Sequence, residues 1–203
     1  MTSWTDNLLL ACALKKETRG LEKVLGTSLP LITTGLGSDR TVRSLEAILE
    51  QQKPSFLLFT GMAGQLDPEI GLGEIVTPAE WRLESGTAFR IRADLISYLE
   101  TIGWKVSGLG LTVRVPVIKR ARRLKLSQES GASICDMESA AVLMVASHYG
   151  IPSLSVKLVS DTAGSGMLAF YRNFDRNILA LGEALRDLIL RLDTPGTSQD
   201  NHG

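Results

Sequence analysis

Short apolar runs alternate with amphipathic segments along this chain, and this alternation restricts the possible folds more than any other feature. The apolar runs that we predict to be strands are 8–14, 29–33, 56–59, 73–77, 109–115, 133–135 and 154–159. The segments that we predict to be helices are 15–26, 41–51, 137–149 and 177–192. Strands that alternate with helices are typical of an α/β fold with a largely parallel sheet. The chain shows no repeat and no linker, so we predict one domain over residues 1–193 and a disordered polar tail over 194–203.

The overall charge and the cysteines limit the partners and the compartment that the chain can have. It carries 22 basic and 22 acidic side chains, so its formal charge gives no reason to expect nucleic acid or an anionic membrane as a partner. No apolar stretch approaches the roughly 20 residues of a membrane span, and the N-terminal segment lacks the pattern of an export signal. Cys12 and Cys135 lie in apolar runs without metal-ligand spacing, which indicates buried thiols in a cytoplasmic protein.

Polar residues and glycines follow the predicted strands, at the edge where ligands gather in open α/β sheets. The residues concerned are Glu17, the segments 33–37 and 60–64, Asp136 with Glu138, and the segment 160–163. If the strands are parallel, these acids and glycine segments converge on one edge of the sheet. That convergence predicts a functional site there.

The glycines of TGLGSDR (34–40) allow more than one interpretation. A dinucleotide-binding loop is disfavoured, because Arg40 stands at the third glycine position and the segment does not follow the first strand. Gly35 and Gly37 either bring backbone N–H groups close to an anion or a sugar, or they only form turns. Together with Arg40 they form a candidate phosphate or anion loop.

The acids near the predicted strand ends also have structural interpretations. Asp136 has the position of a helix N-cap, which accepts an N–H group from the first helical turn. Glu138 precedes a segment, 140–146, that is apolar on every face. The helix is therefore predicted to be buried, and the carboxylate then needs a partner or a ligand. Asp161 is either a turn or cap residue or a catalytic one, and the local pattern leaves both interpretations open.

Basic residues and histidines give weaker signals. The basic run 119–125 is interpreted as a solvated helix face rather than a nucleic-acid surface, because no aromatic residue interleaves it. His148 lies near a predicted helix end and His202 lies in the tail, so neither is placed for a catalytic triad or a metal site. We predict no bound metal.

Four stretches follow one another along the chain: ALKKE (13–17), FTGMAGQLDPEIGLGEIV (59–76), CDMESAAVLMVASHYGIP (135–152) and VKLVSDTA (156–163). In this order they resemble the first loop, the glycine turn with its following strand, the ribose-binding Met-Glu helix and the Ser-Asp motif of the nucleoside phosphorylase and 5′-methylthioadenosine/S-adenosylhomocysteine nucleosidase superfamily. The resemblance implies a three-layer α/β/α domain with a central mixed, largely parallel sheet. It also implies cleavage of the N-glycosidic bond of a purine nucleoside, adenosine-type and 5′-substituted.

The resemblance implies a role for each acid. Asp161 matches the acid that protonates or hydrogen-bonds purine N7 as the base departs. Glu17 matches the glutamate that positions the attacking water in the nucleosidases. Glu138 matches the glutamate that holds the ribose hydroxyls, with Met137 packed against the sugar. The other substrate-binding residues that the resemblance implies are Thr60, Gly61, Met62 and Ser160.

Lys157 lies four residues before Asp161, where the family often has an arginine. On a regular strand this spacing puts both side chains on the same face, which predicts either a pair with Asp161 or a separate structural ion pair. The stretch between Glu17 and Thr33 and the region before Leu109 are short for the family. Phe89 and Trp81 are candidates either for base stacking or for ordinary packing. With these short regions the chain looks most like the hopanoid-associated branch of the superfamily, which is thought to remove adenine from an adenosylated hopane lipid.

Hydrolysis and phosphorolysis differ in what the site must bind. Phosphate needs cations and backbone donors, whereas the carboxylate of Glu17 would repel it and suits water. We therefore predict a hydrolase without a cofactor; a phosphorylase, with inorganic phosphate as co-substrate, is the alternative. A member that binds a nucleoside without cleaving it is a third interpretation. The resemblance implies a homodimer or a higher homo-oligomer.

Overall fold

The computed structural model describes residues 4–106, 108–162 and 166–193. The predicted tail, 194–203, lies outside the described residues. The strands are Leu8–Cys12 (β1), Leu31–Thr33 (β2), Phe56–Gln65 (β3), Ile75–Val76 (β4), Glu80–Leu83 (β5), Ala88–Arg90 (β6), Leu109–Thr112 (β7), Ile134–Asp136 (β8) and Ser153–Asp161 (β9). The helices are Lys15–Leu25 (α1), Ser38–Leu49 (α2), Ala93–Thr101 (α3), Arg120–Ser130 (α4), Ser139–His148 (α5) and Gly166–Asp193 (α6).

All nine of these strands belong to one mixed sheet. Seven of them follow the order β2-β1-β3-β8-β7-β5-β6, and β9 pairs with both β3 and β4. The pairs β1–β2, β1–β3, β3–β9, β5–β7 and β7–β8 are parallel, whereas β3–β8, β4–β9 and β5–β6 are antiparallel. The predicted α/β fold with a mixed, largely parallel sheet is confirmed.

Helices cover both faces of the sheet, as the side chains of β1 demonstrate. Leu8, Leu10 and Cys12 belong to a core cluster that includes residues of α1, α3 and α6. Leu9 and Ala11 belong to a second cluster with α2 and α5. Because both faces are covered, every residue of β1 is buried and the strand is apolar throughout rather than alternating. This arrangement is the three-layer α/β/α architecture that the resemblance implies.

Several element boundaries differ from the predicted ones. The segment 60–64 is not a turn after a strand but the second half of β3, because β9 pairs with β3 from Leu57 to Gly64. The ambiguous region 81–99 forms most of β5, then β6 and most of α3, and α5 begins two residues later than predicted. The last helix begins at Gly166 rather than at residue 177, and Phe170, Phe174 and Ile178 continue its apolar stripe. None of the described helices is both long and apolar enough to span a membrane.

Candidate active site

A cavity of about 360 Å³ opens where the first helix, the ends of β8 and β9 and the start of the last helix meet. Glu17, Glu138 and Asp161 line it, together with Met62 and Met137. The remaining lining residues are Ala13, Leu14, Lys16, Leu36, Gly64, Val113, Pro116, Val117, Ile118, Arg123, Cys135, Asp136, Phe170, Tyr171 and Phe174. The three acids that the sequence singled out therefore lie around one mainly apolar space.

Glu17 lies in the first turn of α1 and is only 3% exposed. Its carboxylate accepts the Leu14 N–H at Oε2 over 2.9 Å, and the Met62 N–H at Oε1 over 3.4 Å. Burial raises the pKa of Glu17, while the charge of Lys157 and the backbone N–H groups oppose that rise. A Cβ atom at Gly61 would lie 3.1 Å from Oε1, so the glycine in β3 leaves the space that this carboxylate occupies.

Glu138 is the N-cap residue of α5 and is 5% exposed. Its Oε1 accepts the Gly37 N–H over 2.7 Å, and its Oε2 accepts the Met137 N–H over 3.3 Å. Burial first, and then the negative charge of Asp136, raise the pKa of Glu138 to about 7, against the opposing charge of Lys157. The side chain therefore binds a proton far more tightly in the folded chain than an exposed glutamate does.

This raised pKa makes stability depend on pH in a defined direction. The folded state binds the proton of Glu138 more tightly than the unfolded state does, so the stabilisation is complete below the ordinary pKa of 4.5 and is lost as the pH rises to about 7. We expect the free energy of unfolding of the parent to fall by on the order of 2 kcal/mol more over that range than that of Glu138→Gln. Urea titrations at several pH values measure the difference.

Replacement of Glu100, an exposed glutamate on α3, by Gln is the matched control and should leave the pH dependence of stability unchanged. The pKa assignment would be wrong if the parent and Glu138→Gln differed in unfolding free energy by the same amount at every pH. Measurements at two salt concentrations separate this buried group from surface charges, since salt screens only the latter strongly.

Lys157 does not pair with Asp161. Its Nζ lies 3.0 Å from Oδ2 of Asp136 and 4.0 Å from the centre of the Phe59 ring, and both side chains of the pair are almost fully buried. Asp136 also accepts the N–H and the hydroxyl of Ser139. It thus satisfies the first turn of α5, as its cap-like position predicted, although Glu138 is the cap residue itself. The charge of Lys157 also opposes the raised pKa of both Glu17 and Glu138.

Of the two interpretations of Lys157, the separate structural ion pair is the one observed, and a bulge in β9 explains why the pair with Asp161 does not form. The register with β3 advances from Ala63–Val159 to Gly64–Asp161, so β9 contains one extra residue, Ser160. One extra residue reverses the alternation of faces along a strand. The carboxylate of Asp161 instead accepts the Ser160 hydroxyl at Oδ1 over 2.9 Å, and Oδ2 accepts Nη2 of Arg123.

Six of the residues proposed from the sequence do not line the cavity, although some support those that do. Thr60 is buried and donates its hydroxyl to the carbonyl of Val156. Ser160 is buried and donates its hydroxyl to Asp161. In the candidate anion loop, the Gly37 N–H is bound by the carboxylate of Glu138, and the exposed Arg40 side chain lies over Gly35. The sixth residue is Gly61, which lacks a side chain and so leaves room for the Glu17 carboxylate.

Sequence reasoning missed other parts of the lining. Arg123 lies in the basic run that the sequence indicates to be a solvated helix face, yet it is 5% exposed and lines the cavity. Phe170, Tyr171 and Phe174 supply the aromatic lining and lie before the predicted start of the last helix. Their spacing at i and i+4 was the signal that could have extended that helix. The earlier candidates for base stacking, Trp81 and Phe89, pack in another core cluster instead.

Comparisons with known proteins agree with this architecture. Residues 89–192 match the sequence profile of the Phosphorylase superfamily. The chain is 24% identical to the aminodeoxyfutalosine nucleosidase of Campylobacter jejuni over 159 residues, which covers 67% of this chain and 69% of that protein. It is 23% identical to the 5′-methylthioadenosine/S-adenosylhomocysteine nucleosidase of Glaesserella parasuis over 192 residues, or 84% of this chain and 82% of that protein.

Solved structures show the same fold. A variant of the nucleosidase from Helicobacter pylori, with 5′-methylthioadenosine in its active site, aligns with a TM-score of 0.81 at 15% identity, over 93% of this chain and 99% of that one. The profile match spans just over half of the 203 residues and includes the Met-Glu helix and the Ser-Asp motif. This chain therefore belongs to the phosphorylase superfamily.

Proposed function

We propose that this protein is a nucleosidase, which hydrolyses the N-glycosidic bond of an adenosine-type nucleoside and releases the free base. The observation that carries the proposal is the meeting of Glu17, Glu138 and Asp161 around one mainly apolar cavity. The relatives described above are nucleosidases, which supports cleavage of a purine nucleoside as the chemistry.

The three acids suit the charges that develop as the bond to the base breaks. The ribose becomes oxocarbenium-like and positive, while the departing base gains negative charge. In our proposal Glu138 binds the ribose hydroxyls and stabilises the positive sugar. Asp161 acts in its protonated form, whose O–H group hydrogen-bonds N7 of the base or transfers its proton to it, and Glu17 accepts a proton from the attacking water. Met137 and Met62 line the cavity beside them and would pack against the substrate.

The charges around the cavity favour water over phosphate as the nucleophile. Its cationic lining residues in the described part of the chain are Lys16 and Arg123. Lys16 lies 3.2 Å from Asp175, and Arg123 is bound to Asp161, so each already has a carboxylate partner. The Gly37 N–H, a candidate phosphate donor, is bound to Glu138. Glu17 adds negative charge where a phosphate would have to approach.

The apolar lining supports a nucleoside with an apolar 5′ substituent. Leu36, Ile118 and Tyr171 line the cavity and are 50%, 52% and 62% exposed, so apolar surface continues to its mouth. Such a rim would bury an alkyl group carried at the 5′ position. A long apolar chain, as in the lipid-linked substrate of the hopanoid-associated branch, fits the same chemistry. Cytoplasmic location and assembly into a homo-oligomer stay predictions.

Turnover of a small panel of nucleosides tests the proposal. We expect adenine release from adenosine and from 5′-alkylthio adenosines without added phosphate. The second product should be the free reducing sugar, which is ribose from adenosine and 5-alkylthioribose from the alkylthio substrates. We also expect kcat/KM to rise with the length of the alkyl group, by up to about fourfold per buried methylene. Chromatography separates adenine, free sugar and sugar 1-phosphate in each reaction.

Phosphate supplies the decisive control. Strict dependence of turnover on phosphate, with ribose 1-phosphate as product, would overturn hydrolysis in favour of phosphorolysis. Tight binding of the nucleosides without any release of base would indicate a non-catalytic binding protein. Inosine serves as a matched substrate, because its base differs from adenine at the 6-position, and it should be cleaved more slowly than adenosine.

A further inference from the structure

Arg123 stands apart from the basic run in which it lies. Its neighbours Lys119, Arg120 and Lys125 are exposed, and Arg123 is the buried residue of α4. A guanidinium ion is stable in such a place only if its donors are satisfied. Its hydrogen bonds therefore indicate what it does.

The donors of Arg123 join three separate parts of the site. Nε donates to the carbonyl of Val117 over 2.8 Å, in the segment before α4. Nη1 donates to the carbonyls of Gln65 and Asp161, over 3.0 and 3.1 Å, at the ends of β3 and β9. Nη2 donates to the Asp161 carboxylate. The same guanidinium thus holds both the backbone and the side chain of Asp161.

The residue whose backbone lies against the guanidinium is Gly64. A Cβ atom at Gly64 would lie 3.1 Å from Nη1 and 3.3 Å from Nη2, closer than such contacts normally come. Gly64 pairs with Asp161 at the bulge, so the close approach occurs beside the carboxylate itself. Lysine could not reproduce this arrangement, because its ammonium group is a point charge without a planar fork of donors.

We propose that Arg123 is a positioning residue for the departing-base site, which holds the carboxyl group of Asp161 at the cavity in the orientation in which its protonated form meets the base. The proposal rests on the proposed function, because it assigns Asp161 to the base. Arg123 fixes one carboxylate oxygen and Ser160 the other, so the acid cannot rotate freely. Misplacement of a reacting group by about 1 Å can lower a rate about 100-fold.

The test compares Arg123→Lys and Arg123→Met with Arg120→Met, an exposed arginine of the same helix. We expect both Arg123 variants to lower kcat for adenine release about 10- to 100-fold, with a smaller change in KM. Lysine keeps the charge but not the planar donors, so it should restore kcat only in part. Arg120→Met should match the parent.

A double-mutant cycle shows whether Arg123 acts through Asp161. With Asp161→Asn as the background, Arg123→Lys should lower kcat little further, because the carboxylate that it holds is already gone. Equal fold losses with and without Asp161 would overturn the proposal and leave Arg123 a general structural residue. Circular dichroism and thermal unfolding confirm folding, and if Arg123→Met does not fold, Arg123→Lys alone decides.

Adenine binding keeps this test distinct from that of the proposed function. If the parent binds adenine in calorimetry but cleaves no nucleoside, hydrolysis fails, and Arg123 is tested by its effect on adenine affinity. We then expect Arg123→Lys to weaken adenine binding at least about tenfold in the parent and little in Asp161→Asn. Unchanged affinity would overturn the positioning role, and a parent that neither binds adenine nor cleaves nucleosides would overturn both proposals.

Discussion

Replacement of Asp161 by Asn should lower kcat for adenine release about 10²- to 10⁴-fold, the usual contribution of a positioned general acid. Asparagine has nearly the same shape but cannot deliver a proton to N7 of the departing base. It can also accept at one atom only, whereas both carboxylate oxygens of Asp161 accept hydrogen bonds, from Ser160 and Arg123. Steady-state kinetics with adenosine or a 5′-alkylthio adenosine measures the loss.

A substrate that needs no acid separates this role from general damage to the site. In 4-nitrophenyl β-D-riboside the leaving phenolate departs without protonation, so Asp161→Asn should lose far less activity on it than on adenosine. Asp6→Asn, at an exposed carboxylate remote from the cavity lining, is the matched control and should retain parent activity on both. Parent-like release of adenine by Asp161→Asn, or equal losses on the two substrates, would contradict the role as an acid.

Glu17 and Asp161 could be predicted from the sequence because each lies at or just after the end of a recognisable strand. Glu17 follows a strand whose five residues are all apolar, and parallel pairing of β1 with β3 brings the loops after both strands to one edge. Asp161 ends another strand that pairs in parallel with β3. The positions of Glu17 and Asp161 therefore required only the strand order and the direction of the strands. Glu138 follows β8, which is antiparallel to β3, so the premise of parallel strands was wrong for this acid, and it reaches the site because the end of β3 pairs with β8.

The partners of these acids could not be found in the same way. The bulge at Ser160 changes the face of the sheet on which the side chain of Asp161 lies. No local pattern in the sequence of β9 indicates this bulge. Arg123 lies in a run of cations that looks solvated, and its burial depends on contacts with residues 38 and 58 positions away. Such contacts result from tertiary packing, which the periodicity of one segment does not contain.

The partner of the glycine loop 34–40 is another part of the chain that local pattern could not specify. From the sequence, its N–H groups either approach an anion or a sugar, or the glycines only form turns. The Gly37 N–H binds the carboxylate of Glu138, a residue 101 positions along the chain. Gly37 has φ of +88°, a conformation that favours glycine and directs its N–H to that carboxylate. The loop is thus part of what holds Glu138 in place.

Replacement of Glu17 by Gln should lower kcat about 10²- to 10⁴-fold while KM changes little, because a base acts on water in the transition state rather than on binding of the nucleoside. The raised pKa of Glu17, caused by its burial, makes the carboxylate a better proton acceptor than an exposed glutamate. Glutamine keeps the size of the side chain but is not basic. Glu22→Gln, on the same helix and away from the cavity lining, should retain parent kcat.

Chemical rescue distinguishes loss of a base from loss of shape. Glu17→Ala leaves space beside the cavity, into which formate can enter and accept the proton in place of the missing carboxylate. We expect formate to raise kcat of Glu17→Ala at least about tenfold, and sodium chloride at the same ionic strength to have no such effect. Formate should not accelerate the parent, whose own carboxylate occupies that position. Parent-like kcat in Glu17→Gln would assign water activation to another group, since glutamine offers the water no basic atom.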